Sequence, residues 1–330
     1  MTGKRTAVVV THRKLTADGS TVSEVIDQLK RAGFDVSLNE NLEAEPLGVP
    51  PQTPIDESTE IVVVLGGDGT ILRAAELVKG TSVPILGINM GHVGFLAEFE
   101  SFQTSEAIQK IADRDYQIDE RTLAEVRVCL PSHEPELVDW ALNDVTIEKA
   151  DRGKMVELGI MVDGVEMSSF GADGIIVSTP TGSTAYAFSA GGPIIWPTVE
   201  SLQLVPLAAH ALFARPLVIG SESSFQIDIL PDSDAEGWIS CDGRRTLQLP
   251  RSSSVKVSQS KDTLRLARLS GAPFTQRLVT KFDLPVVGWR EQSRLARDAR
   301  RRAAKAKNAD TADSPDASFH APTGAAEDEV

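Results

Sequence analysis

A single carboxylate, Asp68, stands among glycines in Gly66-Gly67-Asp68-Gly69-Thr70, directly after the apolar run Ile61-Val62-Val63-Val64-Leu65. Glycines let backbone N–H groups approach phosphate oxygens with no Cβ in the way, and a helix N-terminus adds favourable partial charge. The turn therefore reads as a phosphate cradle with a built-in carboxylate. The competing reading is a tight turn on which Asp68 caps a helix. No Gly-Lys-Ser/Thr follows, so it is not a Walker A loop, and it lacks the spacing of the dinucleotide fingerprint. A second polar pair, Asn143-Asp144, interrupts an apolar context before Thr146-Ile147-Glu148. A carboxylate beside an amide could grip a ribose diol by accepting both O–H bonds, or the pair could be an Asx turn. The third stretch is Ser178-Thr179-Pro180-Thr181-Gly182-Ser183-Thr184-Ala185-Tyr186, entered directly from Ile175-Ile176-Val177. Its hydroxyls and open backbone could line a polar pocket, and Tyr186 offers a flat face for a heterocycle. A flexible loop would lack the apolar strand that runs straight into it.

Positioning these groups requires an edge where strands end. An unbroken β-branched run bounded by glycines predicts a strand buried on both faces, and Thr70 to Leu77 predicts the helix after it. Ligands of open α/β sheets bind at that carboxyl edge. Thr6-Ala7-Val8-Val9-Val10 predicts a first strand, Thr21 to Ala32 an amphipathic helix ended by Gly33, and Phe34 to Leu38 a second strand. Asn39 to Glu60, acidic and proline-bearing, reads as a surface loop. Val83 to Asn89 adds a strand, Met90 to Leu96 a second glycine-bearing loop near the same edge, and Ser101 to Ala112 a helix. From about Gln117 the texture becomes short alternating runs, such as Leu123 to Leu130, Met155 to Val162 and Phe225 to Leu230, with Asp163-Gly164 and Asp242-Gly243 as hairpin turns. Ala267 to Val287 reads as a strand and loop returning to the first half. These textures divide the chain into residues 1–116, an α/β domain; 117–270, a β-rich domain; 271–290, a return segment; and 291–330, a disordered tail.

The 330 residues, 41% hydrophobic, suffice for a sizeable core. A formal net charge of −14 argues against a broad grip on nucleic acid or anionic membrane, which needs clustered Lys and Arg. No apolar stretch approaches a membrane span or a secretory h-region, which predicts a soluble, cytoplasmic protein. Cys129 and Cys241 have no metal-ligand spacing and are expected to be buried thiols. The five histidines, His12, His92, His133, His210 and His320, form no metal motif or nucleophilic triad.

Taken together, the three stretches resemble the NAD kinase family, in this order and over roughly Thr6 to Trp289. The glycine–aspartate turn is shared with lipid kinases and phosphofructokinases, so the Ser178 to Tyr186 run discriminates. Cys241-Asp242-Gly243-Arg244 and His210-Ala211-Leu212-Phe213 are similar to actinobacterial members, some of which also use inorganic polyphosphate. The resemblance implies an α/β N-terminal domain with a parallel sheet, Rossmann-like and phosphofructokinase-like, followed by a C-terminal all-β sandwich. It also implies phosphoryl transfer from ATP to the 2′-hydroxyl of the adenosine ribose of NAD, with Mg²⁺ on the donor phosphates. Asp68 matches the family's general base, Gly69 its neighbour at the dinucleotide, and Asn143-Asp144 the pair that holds NAD. The family's pair is more often Asn-Glu, so the shorter Asp144 must reach further. Asp173 matches a residue near the nicotinamide half, and Thr184, Ala185, Tyr186 and Ser189 match further NAD contacts. Arg73 and Lys154 fall where basic groups approach phosphates, and Ala208 where a neighbouring subunit touches the ligand. A homotetramer or homodimer is implied. Two other classes stay open: a lipid or sugar kinase sharing the turn, and a non-catalytic NAD-sensing module.

Overall fold

The computed structural model describes residues 5–11, 20–39, 44, 46–49, 55–56, 58–89, 94–97, 104–211, 214–286 and single positions 288, 291, 294 and 297. Met1–Lys281 forms one compact unit and Phe282–Val330 another. Half of the proline-bearing loop, the first half of the second glycine loop (90–93) and the tail apart from positions 291, 294 and 297 lie outside the described residues, as do His12, His92, Leu212, Phe213 and His320.

Strands β1 (Arg5–Thr11), β2 (Phe34–Asn39), β3 (Thr59–Leu65) and β4 (Ile85–Ile88) run parallel in the order β2-β1-β3-β4, with helices α1 (Ser20–Arg31), α2 (Asp68–Val78) and α3 (Thr104–Asp113) between and after them. The β-branched run does what its composition dictates. Ile61, Val63 and Leu65 enter a core with Val25 and Leu29 of α1 and Ile108 and Ile111 of α3, whereas Val62 and Val64 meet Ile71, Ala74 and Ala75 of α2 on the opposite face. A strand buried on both sides has no polar face, and each such side chain contributes about 1.5–3 kcal/mol. In α1 the apolar stripe Val22, Val25 and Leu29 is buried, and Lys30 and Arg31 complement the helix dipole in the last turn.

The rest is β-rich. Strands β5 (Gln117–Leu130), β6 (His133–Ala141), β7 (Asp144–Lys149), β8 (Val156–Val162), β9 (Val165–Ala172) and β10 (Gly174–Ser178) precede a short helix α4 (Tyr186–Ser189). After it come β11 (Ser201–Leu207), β12 (Leu217–Gly220), β13 (Ser224–Ile229), β14 (Gly237–Cys241), β15 (Arg245–Leu249), β16 (Ser254–Arg268) and helix α5 (Phe274–Phe282). One sheet runs β12-β11-β10-β7-β14-β15; the other continues from β4 through β16, β13 and β8 to β9, with β5 and β6 attached to β16. Val145, Ile147, Ile175 and Val177 of the first sheet share a core with Leu158, Ile160, Phe225 and Val257 of the second. This is the all-β sandwich, packed beside the α/β layer. Asp163 and Gly164 have φ of 52° and 77°, and Asp242 and Gly243 of 54° and 65°, as Asp-Gly hairpins require.

Two expectations are corrected. The Ala267 to Val287 segment is not a strand and loop: Leu266 in β16 already joins β4 in parallel at Ile85, and residues 274–282 form a helix. The reason is that β16 is long enough to serve both layers, so the return is completed inside one strand. Cys129 is exposed rather than buried, because Val126 and Val128 take the inward positions of β5 and the period of two turns Cys129 outward; its Sγ lies 3.3 Å from Glu136 Oε1. Cys241 is fully buried, which pushes its thiol pKa up.

Candidate active site

The glycine–aspartate turn sits at the carboxyl end of β3. Gly66 N–H donates to Ile88 O, and the N–H groups of Thr70 and Ile71 return to Gly67 O, so α2 starts within the turn. Asp68 does not cap this helix. Its carboxylate reaches across to the second glycine loop, where Phe95 N–H donates to Oδ2 at 2.9 Å and Leu96 N–H to Oδ1 at 3.0 Å. A Cβ added at Gly67 or Gly69 would meet no described atom within 4 Å, so packing does not require either glycine, and an approaching phosphate would find bare backbone.

A separate cleft of about 540 Å³ lies on the outer face of the six-stranded sheet. Its floor is the polar side of β7, Asp144, Thr146 and Glu148, with Ala185 and Tyr186 and the β14–β15 turn around it. The period of two explains the division of β7: Val145 and Ile147 face the sandwich core and the polar residues face the cleft. Asp144 is only 6% exposed, and its pKa is pushed up to about 7 by burial and then by the nearby charges of Asp242 and Glu148. Asp242 is also raised by burial, against the opposing pull of Arg245 and of the N–H groups of Leu142, Asn143 and Asp144, which donate to it at 2.9, 2.6 and 3.3 Å. Tyr186 is 42% exposed and directs its hydroxyl at Glu148 Oε1, 3.4 Å away. Three carboxylates repel phosphate; they suit ligand O–H and N–H donors.

The hydroxyl-rich run builds this cleft without lining most of it. Thr179 Oγ1 donates to Leu142 O at 2.5 Å, Ser183 Oγ donates to Pro180 O and accepts from Ile195 N–H, and Thr184 Oγ1 donates to Thr181 O. A Cβ on Gly182 would fall 1.9 Å from Asn143 O, so the run lies directly on the Asn143-Asp144 backbone. The expectation that its hydroxyls face a pocket is therefore corrected: Ser178, Thr179, Thr181 and Ser183 are buried, and the hydroxyls of Ser178, Thr179 and Ser183 bond to backbone carbonyls, with Gln203 Nε2 also donating to Ser178 Oγ, because a loop folded into the interior must satisfy its own polar groups.

The turn and the cleft are joined by charge. Glu76, in the third turn of α2, accepts from Arg244 Nε and Nη2 at 2.8 and 3.0 Å and from Arg245 Nη1 at 2.6 Å. Arg245 also donates to Asp139 Oδ1 at 2.9 Å and Trp140 O at 2.6 Å, lies 3.6 Å from Asp242 Oδ2, and stacks 4.6 Å over the Trp140 ring. The helix that begins at Asp68 is thus anchored to the hairpin whose Asp242 gathers the Asn143-Asp144 backbone.

Of the residues singled out in the sequence, Asn143, Asp144, Ala185 and Tyr186 come together in the cleft. Asp68 and Gly69 lie at the start of α2, with Arg73 half-buried one turn on. Thr184 is bonded to its own loop and Ser189 is exposed at the end of α4. Asp173 pairs with Lys149 at 2.5 Å, Lys154 is exposed in the turn before β8, and Ala208 is exposed with φ of 46°. Glu148, Thr146, Trp238 and Ser240 were not foreseen; stepping by two from Asp144 along β7 reaches the first pair, whereas Trp238 and Ser240 join them only through cross-strand register.

Family models match twice: the ATP-NAD kinase N-terminal domain over residues 51–116 and the ATP-NAD kinase C-terminal domain over residues 142–269. An NAD kinase of Bifidobacterium longum subsp. infantis is 68% identical over 291 residues, 88% of this chain and 86% of that one. The crystal structure of an NAD kinase from Archaeoglobus fulgidus in complex with ATP superposes with a TM-score of 0.62 at 28% identity, over 84% of this chain and 98% of that one. Yeast NADH kinase complexed with NADH shares the fold, with a TM-score of 0.73 at 22% identity over 87% and 90% of the two chains. The chain belongs to the NAD kinase family.

Proposed function

We propose that the protein transfers the terminal phosphoryl group of ATP to the 2′-hydroxyl of the adenosine ribose of NAD, yielding NADP, with Asp68 as the general base. The observation that carries this reading is the junction of two chemically opposite surfaces: bare glycine backbone at the start of α2, suited to phosphate, and an acidic cleft at β7, suited to hydroxyl donors, tied by Glu76 to Arg244 and Arg245. In the proposed complex Asn143 and Asp144 hold the ribose, Ala185 and Tyr186 the dinucleotide beside it, and Gly69 lets the phosphates approach. Asp173 contributes near the nicotinamide half, Thr184 and Ser189 make further NAD contacts, Arg73 and Lys154 balance phosphate charge, and Ala208 serves a neighbouring subunit in a homotetramer or homodimer. Asp68 takes the 2′-hydroxyl proton as the oxygen attacks phosphorus, and ADP leaves with the former bridging oxygen. Positioning and charge neutralisation supply most of the acceleration in such transfers.

Among the described residues no group of three or more His, Cys, Asp or Glu could hold a metal ion. Magnesium fits as an ion carried on the donor phosphates, where it would neutralise developing charge. Inorganic polyphosphate presents the same terminal phosphate and is the alternative donor. We also place the protein in the cytoplasm; no helix among the described residues is long and apolar enough to cross a membrane.

The test is NADP formation from NAD with ATP or polyphosphate. Product with either donor is expected. Phosphorylation of a diacylglycerol or sugar phosphate but not NAD would favour the lipid or sugar kinase, and NAD binding without product the sensing module. Asp68→Asn should leave NAD affinity in place and lower turnover by about 10²–10⁴-fold; near-parental turnover would remove Asp68 from the base role.

A further inference from the structure

Asp68 takes the direction of its carboxylate from a segment remote in sequence. The two N–H groups on its oxygens belong to Phe95 and Leu96, and the contact is close: a Cβ on Gly94 would lie 2.1 Å from Asp68 Oδ1. What holds that segment comes from the other end of the chain. Arg268 Nη1 donates to Leu96 O at 2.5 Å, and Arg277 Nη1 donates to Ala97 O at 3.1 Å. Arg268 is the last residue of β16 and Arg277 lies in α5; both are buried. Arg268 is itself held by Asp119 Oδ2 at 3.0 Å, which also accepts from Arg121 Nη2 at 2.5 Å. The Phe95 ring meets Phe274 of α5 with centroids 5.9 Å apart, and Trp196 closes edge-on against Phe274 at 4.8 Å.

Hydrogen bonds from a guanidinium are stronger than neutral ones, and the planar fork fixes direction as well as distance. Residues 95–97 are therefore gripped on their carbonyl side by two arginines while they present N–H groups to Asp68. We infer that Arg268 and Arg277 are positioning residues for phosphoryl transfer: they set the Phe95–Ala97 backbone, and through its N–H groups the orientation of the Asp68 carboxylate. Their proposed role is indirect, with no contact to either substrate. The inference rests on the reading of Asp68 as the base. A displacement of about 1 Å at a reacting group is enough to cost roughly 10²-fold, so a loosened loop should be visible in turnover.

The experiment compares Arg268→Lys, Arg277→Lys and Arg277→Met in the parent and in an Asp68→Asn background, recording kcat, KM for NAD and for the phosphate donor, and the thermal midpoint. The assay runs below every variant's melting transition. In the parent background kcat is expected to fall by roughly 10–100-fold with the NAD KM little changed, and Arg277→Lys should keep more activity than Arg277→Met because it still offers a cationic donor to Ala97 O. In the Asp68→Asn background the same substitutions should leave the residual rate unchanged, since the group they orient has lost its role. Parental kcat in the arginine variants, or an equal fold-loss in both backgrounds, would overturn the inference; the second result would mark the arginines as structural only. Those results leave the base assignment standing if Asp68→Asn itself lowers turnover by the expected factor of about 10²–10⁴. Should Asp68→Asn keep parental turnover, the base assignment falls and this inference with it. Lysine at either position keeps the charge and most of the aliphatic stem, so the comparison survives even if Arg277→Met does not fold.

Discussion

Asp144 shows how much a single position can owe to its surroundings. In a free chain its carboxylate is ionised well below neutrality; here burial, with Asp242 and Glu148 beside it, pushes the pKa up to about 7. Only the ionised form can accept both O–H bonds of a diol. NAD affinity should therefore rise as pH increases through about 7 and then level off, with Asp144→Asn weaker and flat over the same range. Calorimetric titration between about pH 6 and pH 8 checks this, and a flat profile in the parent would remove Asp144 from the diol. Stability runs the opposite way. A folded pKa above the unfolded value means that the native state binds the extra proton, so this contribution is complete below about pH 4 and is lost as pH rises through about 7. Melting of the ligand-free protein should accordingly show a decline across that window that Asp144→Asn diminishes. Gly182 is the other decisive residue: with Asn143 O where a Cβ would be, Gly182→Ala should cost about 1–3 kcal/mol and disturb the cleft, read as a lower melting midpoint together with weaker NAD binding.

At the scale of elements, α2 couples the two surfaces. Asp68 opens it and Glu76 lies eight residues on, about 12 Å along the axis, held by Arg244 and Arg245. Removing one member of a buried ion network leaves the others unpaired, which costs about 3–5 kcal/mol where the loss is complete. Glu76→Ala should approach the lower part of that range, because Arg245 retains Asp139 and Asp242. Denaturant unfolding measures it, and a shift of less than about 0.5 kcal/mol would show that the network is not holding α2. No local pattern hints at this element-to-element tie: Glu76 reads as an ordinary helix carboxylate, and the Cys241-Asp242-Gly243-Arg244 turn as a hairpin. The opposite holds for β3, whose Ile61 to Leu65 run can only be buried on both faces, and was legible at once. The hydroxyl-rich run lies between these cases. Its density was plain in the sequence, but the direction of each hydroxyl depended on Leu142, Asn143 and Ile195, which no local pattern supplies.

For the whole molecule, the chain closes a long loop in space: residues 268 and 277 steady residues 95–97, which face residue 68. The last forty residues follow that closure in sequence and are poor in large apolar side chains, so truncation after Arg290 should leave turnover and NAD affinity unchanged. A truncated protein with a large loss of activity would show that the tail docks on the catalytic body. What the sequence determined by itself was whatever local chemistry and period control: the buried β3 strand, the glycine turn holding Asp68, the Asp-Gly hairpins, and the change from α/β alternation to short antiparallel strands. Only the tertiary structure decided that Asp68 bonds to Phe95 and Leu96, that Asp144 shares its cleft with Glu148 and Asp242, and that Arg245 joins Glu76 to Asp139. Those contacts bridge residues up to 169 positions apart, as between Glu76 and Arg245, and such a pairing is set by sheet register and layer packing rather than by the residues' own neighbours.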